Sequence, residues 1–258
     1  MNNTDFIMVM KMKKKRRLRK QVLYVILIFF IGLFALSMFG MLKWFMDHNH
    51  YLEVEKELVQ YYEIDETVKV PVVNVDFEPI RKINSDTVAF IYVKNTNISY
   101  PVVQASDNKF YLNHSINKES NNAGWIFMDY RNRLDGNDKN IIVYGHNRVD
   151  GIMFGTLRNT LKSEWYSNED NLVVQLVTED EIYKYQVFSV YKIKAEDYYI
   201  RTEFDNDFKE FLDVLKKRSV YDFKINLEED DKILTLSTCV GFSDTRLVLH
   251  AKLIKDTN

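Results

Sequence analysis

The sequence predicts a mainly β protein, a barrel or sandwich carrying few helices and held to a membrane by one transmembrane helix. Three observations predict it: an uninterrupted apolar run near the amino terminus, about eight or nine strand-like runs after it, and a single amphipathic segment inserted among those strands. The composition permits a folded domain, with 46% hydrophobic residues, 16 Tyr and 17 Phe. Only 3 Pro and 8 Gly in 258 residues leave little room for flexible linkers.

The apolar run is Val22 to Leu42, which contains no charge and, as a helix rising 1.5 Å per residue, spans about 31 Å. That matches a bilayer. A cleaved signal peptide has a shorter apolar region ending in small residues, whereas this run ends in Met41, Leu42, Trp44 and Phe45. A buried core helix would carry a polar stripe. Before the run stand eight Lys or Arg in twenty residues against one acid, Asp5, a balance of +7. The positive-inside rule keeps that block in the cytoplasm and sends the rest of the chain outside. The whole chain carries −2, so the remainder is at −9, which gives it no charge reason to bind nucleic acid.

Asp47 to Tyr62 follows with apolar residues at helical spacing, a membrane-proximal helix. Strand-like runs rich in Val, Ile, Tyr and Phe then cover Val68 to Val75, Thr87 to Val93, Ile98 to Val103, Gly124 to Met128, Asn140 to Gly145, Leu172 to Thr178, Glu181 to Ile193, Lys232 to Thr238 and Arg246 to Ile254. Between the runs Glu181 to Ile193 and Lys232 to Thr238, Asp205 to Arg218 places Phe208, Phe211, Leu212 and Leu215 on one helical face, with acids first and Lys-Lys-Arg last, as the helix dipole favours. The expected organisation is a cytoplasmic basic segment over 1–21, an anchor over 22–42, a membrane-proximal helical segment over 43–66 and an extracellular domain over 67–258.

Cys239 is the only cysteine, so no intrachain disulfide forms. It is an inert buried thiol, half of an intermolecular bridge, or a reactive group. Its place at the end of a strand, before Val240-Gly241-Phe242-Ser243-Asp244, is where catalytic groups collect. The next strand begins at Arg246, so a short turn brings that guanidinium beside the Cys strand, where it would lower a thiol pKa and hold a developing oxyanion. A surface Arg in a salt bridge is the alternative. Of five histidines, His146 ends a strand as Cys239 does, and His114 is the second candidate for handling protons. His250 lies four residues beyond Arg246, about 13 Å along a strand, and is read as structural. His48 and His50 stand two apart on a helix and point away from each other. No group shows the ligand spacing of a metal site, and no cofactor is expected.

The motifs TLSTC at Thr235 to Cys239, DTRLVLHAKL containing Arg246, and YGHN at Tyr144 to Asn147 resemble the sortase family. GWIFMDYRN at Gly124 to Asn132 and the helix-bearing insertion resemble its class B in particular. The resemblance covers roughly residues 68–254. It implies an eight-stranded β-barrel and a membrane-tethered cysteine transpeptidase of Gram-positive cell walls. It further implies Cys239 as nucleophile, His146 as proton donor and acceptor, and Arg246 holding the substrate carbonyl. Asn108 and Leu112 in DNKFYL, with Ser237, match positions lining the signal-peptide groove. The implied partners are surface proteins with Asn-Pro-Gln-Thr-Asn-like or Pro-x-Thr-Gly-like sorting signals and an amine of a peptidoglycan precursor or cross-bridge. Two other readings remain: a membrane-anchored cysteine peptidase that hydrolyses its acyl-enzyme, and a non-catalytic surface-anchored β-domain in which Cys239 is a core thiol.

Overall fold

The structure, a computed structural model, describes residues 3–239 and 244–255; of the strand residue Cys239 it describes the backbone. The chain divides into two compact units, 1–49 and 50–258. In the first, helix α1 (Asn3–Leu58) begins, and every apolar side chain of the 22–42 run stands exposed. It is long and apolar enough to cross a membrane.

The second unit is built around strands β3 (Thr87–Val93), β4 (Ile98–Val103), β5 (Phe127–Met128), β6 (Asn140–His146), β7 (Val173–Val177), β8 (Ile182–Lys194), β9 (Ile233–Cys239) and β10 (Thr245–Leu253). They close into one barrel in the order β10-β8-β7-β3-β4-β5-β6-β9. The eight-stranded barrel the motifs implied is therefore present. Closure leaves the barrel itself without an open edge. Pairing is antiparallel except between β4 and β5 and between β6 and β9.

Alternation along the last two strands explains how both barrel faces are covered. Leu234, Leu236, Leu247, Leu249 and Ala251 enter the barrel core, whereas Ile233 and Val248 belong to a second cluster outside it. That cluster is closed by α4 (Phe208–Lys217), whose Phe208, Phe211, Leu212 and Leu215 are all buried. Each such side chain is worth roughly 1.5–3 kcal/mol of burial. The amphipathic insertion is thus a lid over the outer face of β8 and β10.

Small elements finish the unit. The end of α1 contributes Tyr51, Val54 and Leu58 to the barrel core. A hairpin of β1 (Tyr62–Asp65) and β2 (Val72–Val75) covers Phe90 and Tyr92 on the outside of β3, together with α2 (Phe77–Ile83). Asp76 caps α2 by accepting from the Glu78 amide. The strand read at Val68 to Val75 is confined to its last four residues, and the one read at Gly124 to Met128 to its last two. A positive φ of 60° at Gly124 breaks the extended backbone there.

Candidate active site

One end of the barrel opens into a cleft of about 490 Å³ lined by Asn108, Leu112, Tyr144, His146, Ser237, Arg246 and the 195–200 segment. Five of the six residues expected at the site therefore share one cavity. For the sixth, Cys239, the backbone placement is decisive: the parallel ladder of β6 and β9 runs from Asn140 opposite Ile233 to His146 opposite Cys239. Register partners on neighbouring strands lie about 5 Å apart. The antiparallel register of β9 with β10 sets Val248 opposite Ser237, and the Leu247 amide donates to Thr238 Oγ1 at 2.9 Å. The ladder stops there, with Arg246 two residues beyond its end on β10 and Cys239 two residues beyond it on β9. The Cys239 side chain and the Val240-Gly241-Phe242-Ser243 segment lie outside the described residues.

His146 is half-buried, and Nε2 is 2.6 Å from the Leu112 carbonyl oxygen. A carbonyl only accepts, so Nε2 carries the hydrogen. Burial lowers the imidazole pKa below its ordinary value; the Leu112 carbonyl works against that shift, and the Arg148 guanidinium adds to it. The neutral ring is therefore favoured. Arg246 has a buried Nη1 with no hydrogen-bond partner among the described residues. A buried guanidinium nitrogen left unpaired carries a desolvation penalty that an incoming oxygen would relieve.

The floor of the cleft rests on Asp129, a fully buried residue. It accepts from Asn108 Nδ2 at 2.9 Å, from Tyr144 Oη at 2.9 Å and from Arg131 Nε and Nη2 at 2.8 and 2.7 Å. Burial pushes its carboxyl upward, but the bonds from Arg131 and Tyr144 outweigh that push and hold it below the usual carboxylate range. Asn108 is fixed at both ends, since its Oδ1 accepts from the Tyr130 amide.

Sequence reasoning missed the far wall, residues 195–200. Arg131 donates to the Ile200 carbonyl at 2.9 Å and Asn140 to that of Arg201 at 2.9 Å, while Arg218 binds Glu196 at 2.5 Å. Tyr199 Oη lies 3.0 Å from Ser237 Oγ, which ties the wall to β9. A local cue existed only in the run of aromatic and acidic residues after a long strand. His114 does not line the cleft; its Nδ1 meets the Phe110 carbonyl at 2.7 Å and its ring stacks on Phe110. His250 is fully buried between Tyr191 and Thr235, the structural place expected of it. His50 contacts Ser115 at 3.1 Å.

The sortase domain family model matches residues 91–254. The chain is similar to sortase B of Staphylococcus aureus, at 38% identity over 80% of this chain and 88% of that protein. It is also similar to sortase B of Listeria monocytogenes, at 34% identity over 94% of this chain and 99% of that protein. Among solved structures, a Staphylococcus aureus sortase B–substrate complex matches with a TM-score of 0.65 at 39% identity, covering 70% of this chain and 85% of that one. A sortase B complexed with triglycine matches with a TM-score of 0.66 at 40% identity, covering 70% and 86%.

Proposed function

The chain belongs to the sortase family, class B, and as a cysteine transpeptidase of that family, we propose, it cleaves a carboxy-terminal sorting signal after Thr and transfers the severed protein to an amino group of peptidoglycan. The observation that carries the assignment of roles is the pairing of His146 with Cys239 at the ends of adjacent parallel strands. A thiol and an imidazole so placed are within reach of one scissile bond.

In this reading the Cys239 thiolate attacks the carbonyl carbon of the signal Thr, and the carbonyl electrons move onto oxygen. Arg246 stabilises that oxyanion with Nη1, which has no partner among the described residues. The proton that Cys239 gave up to become the thiolate sits on His146 Nδ1; the imidazolium passes it to the departing amine, the C–N bond breaks, and a thioester remains on Cys239. The incoming amine then loses a proton to His146 and attacks the thioester, restoring the thiolate. Asn108, Leu112 and Ser237 line the groove that receives the signal peptide. The substrate and triglycine complexes of the similar enzymes support a peptide signal and an amine acceptor.

The same proposal places the 1–21 segment in the cytoplasm, the 22–42 run across the membrane, 43–66 next to it and the catalytic domain, 67–258, outside. The basic block before the run supports that orientation.

The full chain in detergent, given a fluorogenic Asn-Pro-Gln-Thr-Asn peptide with and without a peptidoglycan-like amine, tests the function. Cleavage that the amine accelerates, with an amide product and loss of activity in Cys239→Ala, His146→Ala and Arg246→Ala, is expected. Cleavage yielding only the free acid at any amine concentration identifies a peptidase. Full activity in Cys239→Ala refutes both.

A further inference from the structure

The imidazole of His146 is held at one edge by backbone alone, and the contact depends on a missing side chain. Nε2 meets the Leu112 carbonyl at 2.6 Å. Leu112 ends a 3-10 turn, Phe110–Leu112, whose start is fixed by Asp107 Oδ1 accepting the amides of Lys109 and Phe110. The next carbonyl back, Tyr111 O, accepts from the Trp125 amide at 2.9 Å, and the buried Trp125 indole donates to Pro101 O. Between these groups lies Gly124, at a φ of +60°. A Cβ there would stand 2.6 Å from Tyr111 O, 2.8 Å from Leu112 O and 2.9 Å from His146 Cδ2. All three are closer than real Cβ atoms come, and two are backbone.

We infer that Gly124 is a positioning residue for His146: its bare Cα lets the Leu112 carbonyl close on Nε2, which locks the neutral ring as the Nε2–H tautomer and leaves Nδ1 as the nitrogen that exchanges protons with thiol and amine. The inference rests on the proposed role of His146 and adds which nitrogen acts and what fixes it. The geometry is internally consistent, because Cδ2, the carbon facing Gly124, adjoins Nε2 and lies across the ring from Nδ1. Nδ1 makes no hydrogen bond among the described residues. Leu112 thus contributes twice, its side chain to the cleft wall and its carbonyl to the imidazole.

Gly136 provides the control. It has a φ of +80° and open space where its Cβ would be, so Gly136→Ala imposes the same backbone strain without touching the site. The experiment compares wild type, Gly124→Ala, Gly136→Ala and His146→Ala as full chains in detergent, by steady-state kinetics on the Asn-Pro-Gln-Thr-Asn peptide and by ¹⁵N-imidazole NMR. Wild type is expected to show His146 protonated at Nε2. Gly124→Ala should lose about a hundredfold in kcat, the scale of a misplaced catalytic group, with peptide KM within about twofold. Its His146 resonances should move toward a tautomer mixture, while Gly136→Ala keeps wild-type kcat and resonances. A wild-type ring protonated at Nδ1 overturns the inference even if Gly124→Ala fails to fold. So does a folded Gly124→Ala with wild-type kcat, or a Gly136→Ala that loses as much. If His146→Ala itself is fully active, the role of His146 fails, and that result is separate from all of these.

Discussion

Lowering the pH from 6.5 to 4.5 should destabilise the catalytic unit through one residue that touches no substrate. His250 is fully buried, its ring packed against Phe188, Tyr191 and Tyr199. Thr235 Oγ1 donates to Asn140 Oδ1 at 2.7 Å, so it accepts from His250 Nδ1 at 2.8 Å, and His250 Nε2 accepts from Tyr191 Oη at 2.9 Å. The ring is neutral with both nitrogens in use. Burial, aided by the Arg218 charge, pulls its pKa from 6.5 to about 3. An unfolded chain protonates this imidazole below 6.5 while the folded chain does not, so stability is lost as the pH falls from 6.5 toward 3. The unfolded imidazole is already half protonated at pH 6.5, so the two-unit drop costs about 2.3 kcal/mol rather than the full slope of about 1.4 kcal/mol per unit. For a domain of this size that is roughly 5–9 °C in Tm. Thermal melts of the wild type and His250→Gln at pH 6.5 and 4.5 isolate the effect, because the other histidines and the carboxylates are common to both. The variant should lose less Tm over the interval by about that amount. Equal losses in the two proteins would refute the argument.

Two further substitutions probe the site. Arg246→Lys replaces a planar fork of donors by a point charge, and should cost roughly a hundred- to a thousandfold in kcat with an unchanged melting temperature, measured on the same peptide. Asp129→Ala removes the acceptor shared by Asn108, Tyr144 and Arg131. It should destabilise by about 3 kcal/mol in urea titration, at the low end for a broken buried ion pair because Arg131 can rehydrate, and should raise peptide KM by freeing Asn108.

Much of the barrel was legible because its strands alternate or run apolar over their full length. Thr87–Val93 and Ile98–Val103 were read to the residue. Misses fell where local pattern and tertiary pairing disagree. Tyr62 sits at helical spacing with Leu58 but opens β1, since pairing with Val75 outweighs propensity. The α2 helix hid behind Pro79, which a first helical turn accommodates. At the site, strand ends marked His146 and Cys239 separately. Their adjacency depends on a parallel pairing between segments 93 positions apart, which no local signal encodes. The 195–200 wall was invisible for the same reason: its position is set by carbonyls caught by Arg131 and Asn140.

In the proposed reaction Cys239 carries the acyl group. Intact-mass spectrometry of the full chain, incubated with the signal peptide in the absence of amine and quenched in acid, tests it most directly. An adduct equal to the peptide up to its Thr is expected, mapped to Cys239, absent in Cys239→Ala and discharged when amine is added. Turnover without such an adduct, or an adduct that persists in Cys239→Ala, would contradict it.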